Sequence, residues 1–140
     1  MSENWLDRLV GDWTYEAESV PADPAHRRTG SETVVRRGAW VIIESADYRF
    51  QLTHDPQTQT YTGDFVPWQH PQLWVYRGSV EDGRLHMRSR GPSFDVEGED
   101  TDYDDVFEIL SPDERRLTGR LLGKDGAWRD FMVTNFRRKG

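Results

Sequence analysis

Cysteine is absent from the 140 residues, which excludes disulfides, a thiolate nucleophile and any cysteine metal site. Long apolar runs are missing too. The longest, Ala39 to Ile43, is far short of the ~20 residues a membrane-spanning helix needs. The first residues lack the basic-then-apolar pattern of a secretory signal, so the expectation is a cytoplasmic protein with no membrane partner. Positive charge is scarce: 18 Lys and Arg face 25 Asp and Glu, a net charge of −7. That balance argues against a nucleic-acid partner. The sequence has no Gly-x-Ser-x-Gly elbow, no phosphate loop and no dinucleotide fingerprint. What is present is aromatic: six Trp, six Phe and five Tyr, 12% of the chain. Side chains of that size supply one real core, and the length fits a single domain over 1–140.

The acidic excess is concentrated. Asp95, Glu97, Glu99, Asp100, Asp102, Asp104, Asp105 and Glu108 fall in one segment with no base. The plain reading is a solvated loop leading into a strand that begins at Asp105. The alternation Asp100-x-Asp102-x-Asp104 suggests a cation loop, but the glycine an EF-hand needs does not follow and the flanks are not helical. The four histidines, His26, His54, His70 and His86, are too scattered for a local zinc pattern, so no metal is assigned.

Trp5, Leu6, Leu9 and Val10 lie at helical spacing after Ser2, which can cap a helix of about two turns, with Gly11 ending it. From Trp13 the period changes to two, and alternation over Trp13–Ser19 predicts a half-buried strand. Nine more strand candidates follow, roughly 31–37, 39–46, 48–54, 60–66, 73–80, 84–90, 105–110, 115–123 and 127–137. Turn signals such as Glu81-Asp82-Gly83 and Lys124-Asp125-Gly126 separate them, and no proline falls mid-strand. Hairpin-length connections pair each strand with its sequence neighbour. An open meander of ten strands leaves exposed edges, and closure removes them. The expected fold is therefore all-β: a closed antiparallel up-and-down barrel of about ten strands, with a short N-terminal helix and room inside for a ligand.

Several motifs then carry a family resemblance. Leu6-Asp-Arg-Leu9-Val10-Gly11-Asp12-Trp13 opens the first strand, Asp55-Pro56-Gln-Thr58-Gln-Thr-Tyr61 makes a middle turn, and Phe136-Arg137-Arg138-Lys139 ends the chain. The first resembles the Gly-x-Trp signature of calycin-like barrels, among them lipocalins, fatty-acid-binding proteins and nitrobindin-type haem barrels. Taken together the three look like a bacterial lipocalin-like family described only as a domain of unknown function. The resemblance implies that Arg137 or Arg138 packs over Trp13, a cation–π contact closing the barrel's bottom. It also raises haem as a cofactor, with His54 or His70 as the available ligands; the residues themselves assign no cofactor.

The stretch Phe65-Val-Pro67-Trp68-Gln-His70-Pro71-Gln-Leu-Trp74 holds two indoles and an imidazole on proline-stiffened backbone. It reads as a rim over a barrel mouth. The alternation Tyr48-x-Phe50-x-Leu52-x-His54 puts His54 on an apolar face. In one register Trp40, Ile42 and Glu44 point inward and Glu44 must pair with Arg77; in the other, Val41, Ile43, Trp74 and Tyr76 are inside. The sequence leaves both open. The candidate contacts for a small apolar or aromatic ligand are Trp40, Tyr48, Phe50, His54, Trp68, His70 and Trp74. Two other classes stand beside this reading. One is an isomerase- or hydratase-type enzyme with His54 or His70 as acid–base. The other is a barrel that docks a basic partner through 95–108, and exposed aromatics also allow a homodimer.

Overall fold

The computed structural model describes residues 4–139. The chain forms ten strands in one closed antiparallel barrel, each paired with its sequence neighbours. They are β1 (Gly11–Ser19), β2 (Arg28–Arg37), β3 (Trp40–Glu44), β4 (Tyr48–Asp55), β5 (Thr60–Pro67), β6 (Trp74–Glu81), β7 (Arg84–Pro92), β8 (Asp100–Ser111), β9 (Glu114–Leu122) and β10 (Trp128–Arg138). The barrel closes where β10 pairs with β1, Phe136 opposite Tyr15 and Arg138 close to Trp13. The up-and-down order matches the expectation from alternation and turn spacing.

Two expected features are corrected. The N-terminal segment is not an α-helix but a 3-10 turn, Trp5–Leu9. Asn4 caps it, its side chain accepting from the Leu6 amide at 2.9 Å, and the Asp7 carboxylate accepts from the Asn4 amide at 3.1 Å. Ser2 lies outside the described residues. Five residues cannot sustain an α-helix, so the turn is held by burying Leu6 and Leu9 in the barrel's base. Gly11 does not cap it; Val10 is already extended, and Gly11 opens β1 at φ +137°. A Cβ there would lie 2.1 Å from the Arg138 guanidinium, so the glycine makes room for the C-terminal arginine.

The second correction concerns the acidic segment. Strand β8 begins at Asp100, five residues before the expected start, so its acids belong mainly to a strand. The reason lies in its neighbours. Outward acids of β8 meet bases on β7 and β9: Arg90–Asp102 at 2.9 Å, His86–Asp104 at 2.8 Å and Arg116–Glu108 at 3.8 Å. Opposite charges facing across a ladder stabilise the pairing that like charges alone would oppose.

The register question resolves in favour of Val41 and Ile43. Both are buried, while Trp40 and Glu44 face outward. On β6 Trp74 and Tyr76 point inward, and Val75 and Arg77 outward. Glu44 and Arg77 therefore both stand on the outer surface, and neither is forced to find a buried partner.

The base of the barrel is sealed as the family resemblance implied. Arg138 lies over the Trp13 ring at 4.3 Å and donates to the Val10 carbonyl at 2.7 Å. Trp13 in turn donates its indole N–H to the Leu9 carbonyl at 2.8 Å. Trp5 ties the 3-10 turn to the β6–β7 hairpin through the Gly83 carbonyl at 3.1 Å. The opposite end carries the longer connections, 20–27, 45–47, 68–73, 93–99 and 123–127, and is the mouth.

Candidate functional site

Above this sealed base the barrel encloses a cavity of about 580 Å³ that opens towards the mouth. Eleven of its lining residues are aromatic. Phe50 stacks on Tyr76 at 5.0 Å, with Phe65 and Phe107 edge-on to it at 5.4 and 5.6 Å. Nearer the mouth, Trp74, Phe94 and Phe131 surround Tyr103 at 5.1, 5.4 and 5.8 Å. Two local irregularities build this upper wall. A bulge in β10 between Asp130 and Met132 puts Phe131 beside Met132, so consecutive residues both line the cavity. Gly91 leaves open the space the Trp74 ring fills; a Cβ there would lie 2.5 Å from it.

Polar groups interrupt the aromatic wall at two places. On the lower wall Glu32 of β2 and Arg115 of β9 form a buried ion pair, and the Tyr48 hydroxyl donates to the same carboxylate. The Arg115 guanidinium lies against Phe136 at 3.7 Å and Trp13 at 4.7 Å. Burial lowers its proton affinity, and the Glu32 charge opposes that shift. Burial also raises the Tyr48 hydroxyl far above its ordinary value, with Glu32 adding to the effect, so it stays protonated as a donor.

The second polar place is Asp105 on β8. It lies between Tyr103 and Phe107 on the inward face and accepts from the Tyr76 hydroxyl at 3.0 Å. Burial pushes its carboxyl up to about 7; the Tyr76 bond opposes the rise and the adjacent Asp104 charge adds to it. The Ser89 hydroxyl of β7 also lines the cavity, beside the Tyr76 hydroxyl.

The seven sequence candidates divide. Tyr48, Phe50 and Trp74 line the cavity. Trp40 stands on the outer wall, bordering a shallow groove with Asp64, Val75 and Arg77. Trp68 and His70 are exposed in the 68–73 connection, where Gln69 rather than either aromatic reaches the mouth. His54 lies at the closed end of β4, its ring 4.4 Å from Tyr61. No histidine is among the cavity's lining residues, so the residues do not fit a histidine-ligated haem. Among the described residues no three His, Asp or Glu side chains gather as a metal site.

Sequence reasoning missed Glu32, Arg115, Ser89 and Asp105, and it placed Tyr76 inside in one of two registers without counting it among the contacts. A signal existed for two of the three charges: Arg115 precedes the alternation Leu117-x-Gly119-x-Leu121, and Asp105 stands between Tyr103 and Phe107, whereas Glu32 shares its face with Arg28 and Arg36. The same signal at Glu44 and Arg77 was misleading because only the pairing register tells inside from outside.

Comparison with known proteins agrees with the architecture. Residues 2–138 match the family described as "Protein of unknown function (DUF1579)". No curated protein matches the sequence. The crystal structure of Rv2717c from M. tuberculosis is similar over 100% of both chains, with a TM-score of 0.56 at 13% identity. A zebrafish ileal bile acid-binding protein complexed with cholic acid aligns over 94% of this chain and 99% of its own, with a TM-score of 0.46 at 14% identity. A redesigned β-barrel aligns over 96% of this chain and 94% of its own, at TM-score 0.46 and 10% identity. The likeness to Rv2717c concerns the fold.

Proposed function

The chain belongs to the DUF1579 family, and we propose that it binds a small, largely apolar or aromatic molecule inside its barrel. The observation that carries this reading is the cavity of about 580 Å³, lined by eleven aromatic side chains and open at one end. Pockets for small molecules share that size range, apolar lining and small set of convergent polar groups. The contacts we assign are Tyr48, Phe50, Phe65, Trp74, Tyr76, Tyr103 and Phe107, with polar recognition from Asp105 and from the Glu32–Arg115–Tyr48 cluster. Trp40, His54, Trp68 and His70 leave the contact set. The acid–base alternative based on His54 or His70 has no histidine at the cavity to carry it. The docking alternative through 95–108 loses Asp102, Asp104 and Glu108 to partners across the sheet and Asp105 to the cavity.

The test uses the neutral fluorescent probe N-phenylnaphthylamine. Its emission should rise on mixing with the protein. It should fail to rise with Ala17→Trp, which fills the cavity from β1, and should persist with Val75→Trp on the outer wall. Circular dichroism would check that both variants fold. Equal probe binding by all three proteins would place the binding outside the barrel and refute the proposal.

A further inference from the structure

The cavity's charges do not balance, and the imbalance is specific. Glu32 and Arg115 neutralise one another inside. Asp47 and Arg28 both border the mouth, where Arg28 also donates to the Ala25 and Arg27 carbonyls at 3.3 and 3.0 Å. Asp105 remains, and among the described residues no cationic side chain contacts it.

The groups around Asp105 come from each neighbouring element. From β6 the Tyr76 hydroxyl donates to it. From β7 its partner is Met87, with Ser89 on the same wall. From β9 its partner is Gly119, which contributes no charge. On β8 itself Tyr103 and Phe107 flank it, and Asp104 faces outward towards His86 and Arg88. A carboxyl enclosed by aromatic rings with only hydroxyls beside it lacks the counter-charge that burial demands.

We propose that the cavity selects organic ammonium ligands: an apolar or aromatic body carrying a protonated amine whose charge pairs with Asp105 and rests against the surrounding rings. Aromatic faces attract cations, most strongly where water is excluded. The ammonium supplies three donors, and Asp105 keeps acceptor capacity beyond the bond from Tyr76. The Ser89 hydroxyl on the same wall offers a further acceptor. A ligand carboxylate meets the reverse situation. The interior arginine is already paired with Glu32 through one terminal nitrogen, which leaves only its Nε buried without a partner among the described residues, and the added negative charge repels Asp105. The inference rests on the cavity-binding reading above and names the ligand class for it.

The binding is linked to protons. Because the carboxyl ionises only near neutrality, an ammonium must draw it into the charged form. Alkylammonium groups stay charged through this range, so affinity should rise with pH. Between pH 6 and pH 8 the ionised fraction of a group titrating at about 7 grows from about one-tenth to about nine-tenths, which predicts about tenfold tighter binding.

The experiment compares three probes with one naphthyl body and different heads: naphthylethylamine, naphthylethanol and naphthylpropionate. Calorimetric titration at pH 8 should give the order amine, alcohol, carboxylate, with the amine at least about tenfold ahead of the alcohol. The amine's lead should shrink about tenfold at pH 6 while the alcohol is unmoved. In Asp105→Asn the lead should disappear and the alcohol should still bind. An amine no tighter than the alcohol, a carboxylate tightest of the three, or a lead that survives in Asp105→Asn would overturn the inference and leave cavity binding standing. Failure of all three probes to bind would overturn the cavity-binding reading, and the inference with it. The head-group comparison on the unaltered protein decides the matter even if the variant does not fold.

Discussion

Replacing Asp105 with Asn should stabilise the protein, and by an amount that depends on pH. The carboxyl titrates at about 7 in the folded chain against an ordinary 3.8. Between those values the unfolded chain has released the proton while the folded chain still holds it. Stability therefore falls as pH rises from about 4 to about 7 and is level above that. At about 1.36 kcal/mol per pH unit, the interval from 3.8 to about 7 makes the full penalty about 4 kcal/mol. Water entering the cavity lowers this figure, so it is an upper bound. Asn keeps the shape and still accepts from the Tyr76 hydroxyl, but it never ionises. Urea denaturation of both proteins at pH 5 and pH 8 isolates the effect from other titrating groups, which they share. The variant's advantage should grow by up to about 3 kcal/mol between those two conditions. An advantage independent of pH, or a variant less stable at pH 8, would refute the argument that Asp105 faces the cavity without a counter-charge.

The remaining predictions concern the wall and the frame. Arg115→Met leaves Glu32 charged in the interior and should cost about 3–5 kcal/mol in urea denaturation; adding Glu32→Gln should recover much of that loss. Gly78→Ala would place a Cβ 1.7 Å from the His86 carbonyl oxygen on the adjacent strand, so it should destabilise by about 3 kcal/mol and lower the thermal midpoint. Trp74→Ala should weaken N-phenylnaphthylamine about fivefold, the worth of roughly 1 kcal/mol of aromatic contact, while Trp68→Ala on the exposed connection leaves the titration unchanged.

The frame of the barrel was legible because its signals are local. Alternation marked the strands, and hairpin-length turns dictated neighbour pairing, which needs no information from elsewhere in the chain. The packing of Arg138 on Trp13 was legible through family resemblance. The start of β8 was hidden because a run of acids reads as solvated loop until the arginines and histidine of β7 and β9 are seen opposite it. The cavity residues were half legible. Tyr48 and Phe50 lie on a strand whose alternation names its inner face. Trp40 lies in the continuous apolar run Ala39 to Ile43, where both faces read alike and only pairing with β2 and β4 decides. Trp68 and Trp74 looked equivalent in sequence, yet Trp74 begins an inward alternation and Trp68 stands one residue past the end of β5. The Glu32–Arg115 pair joins residues 83 apart in sequence, and no spacing rule connects them.

The most direct test of cavity binding is fluorine NMR of the protein labelled with fluorotryptophan and titrated with naphthylethanol, a neutral probe. The tryptophans sample different places: Trp74 lines the cavity, Trp13 is in the sealed base, and Trp40 and Trp68 are on the outside. Occupation of the barrel predicts that the Trp74 resonance shifts saturably while those of Trp40 and Trp68 hold still. A stationary Trp74 resonance at saturating probe, or a response confined to Trp40 and Trp68, would contradict it.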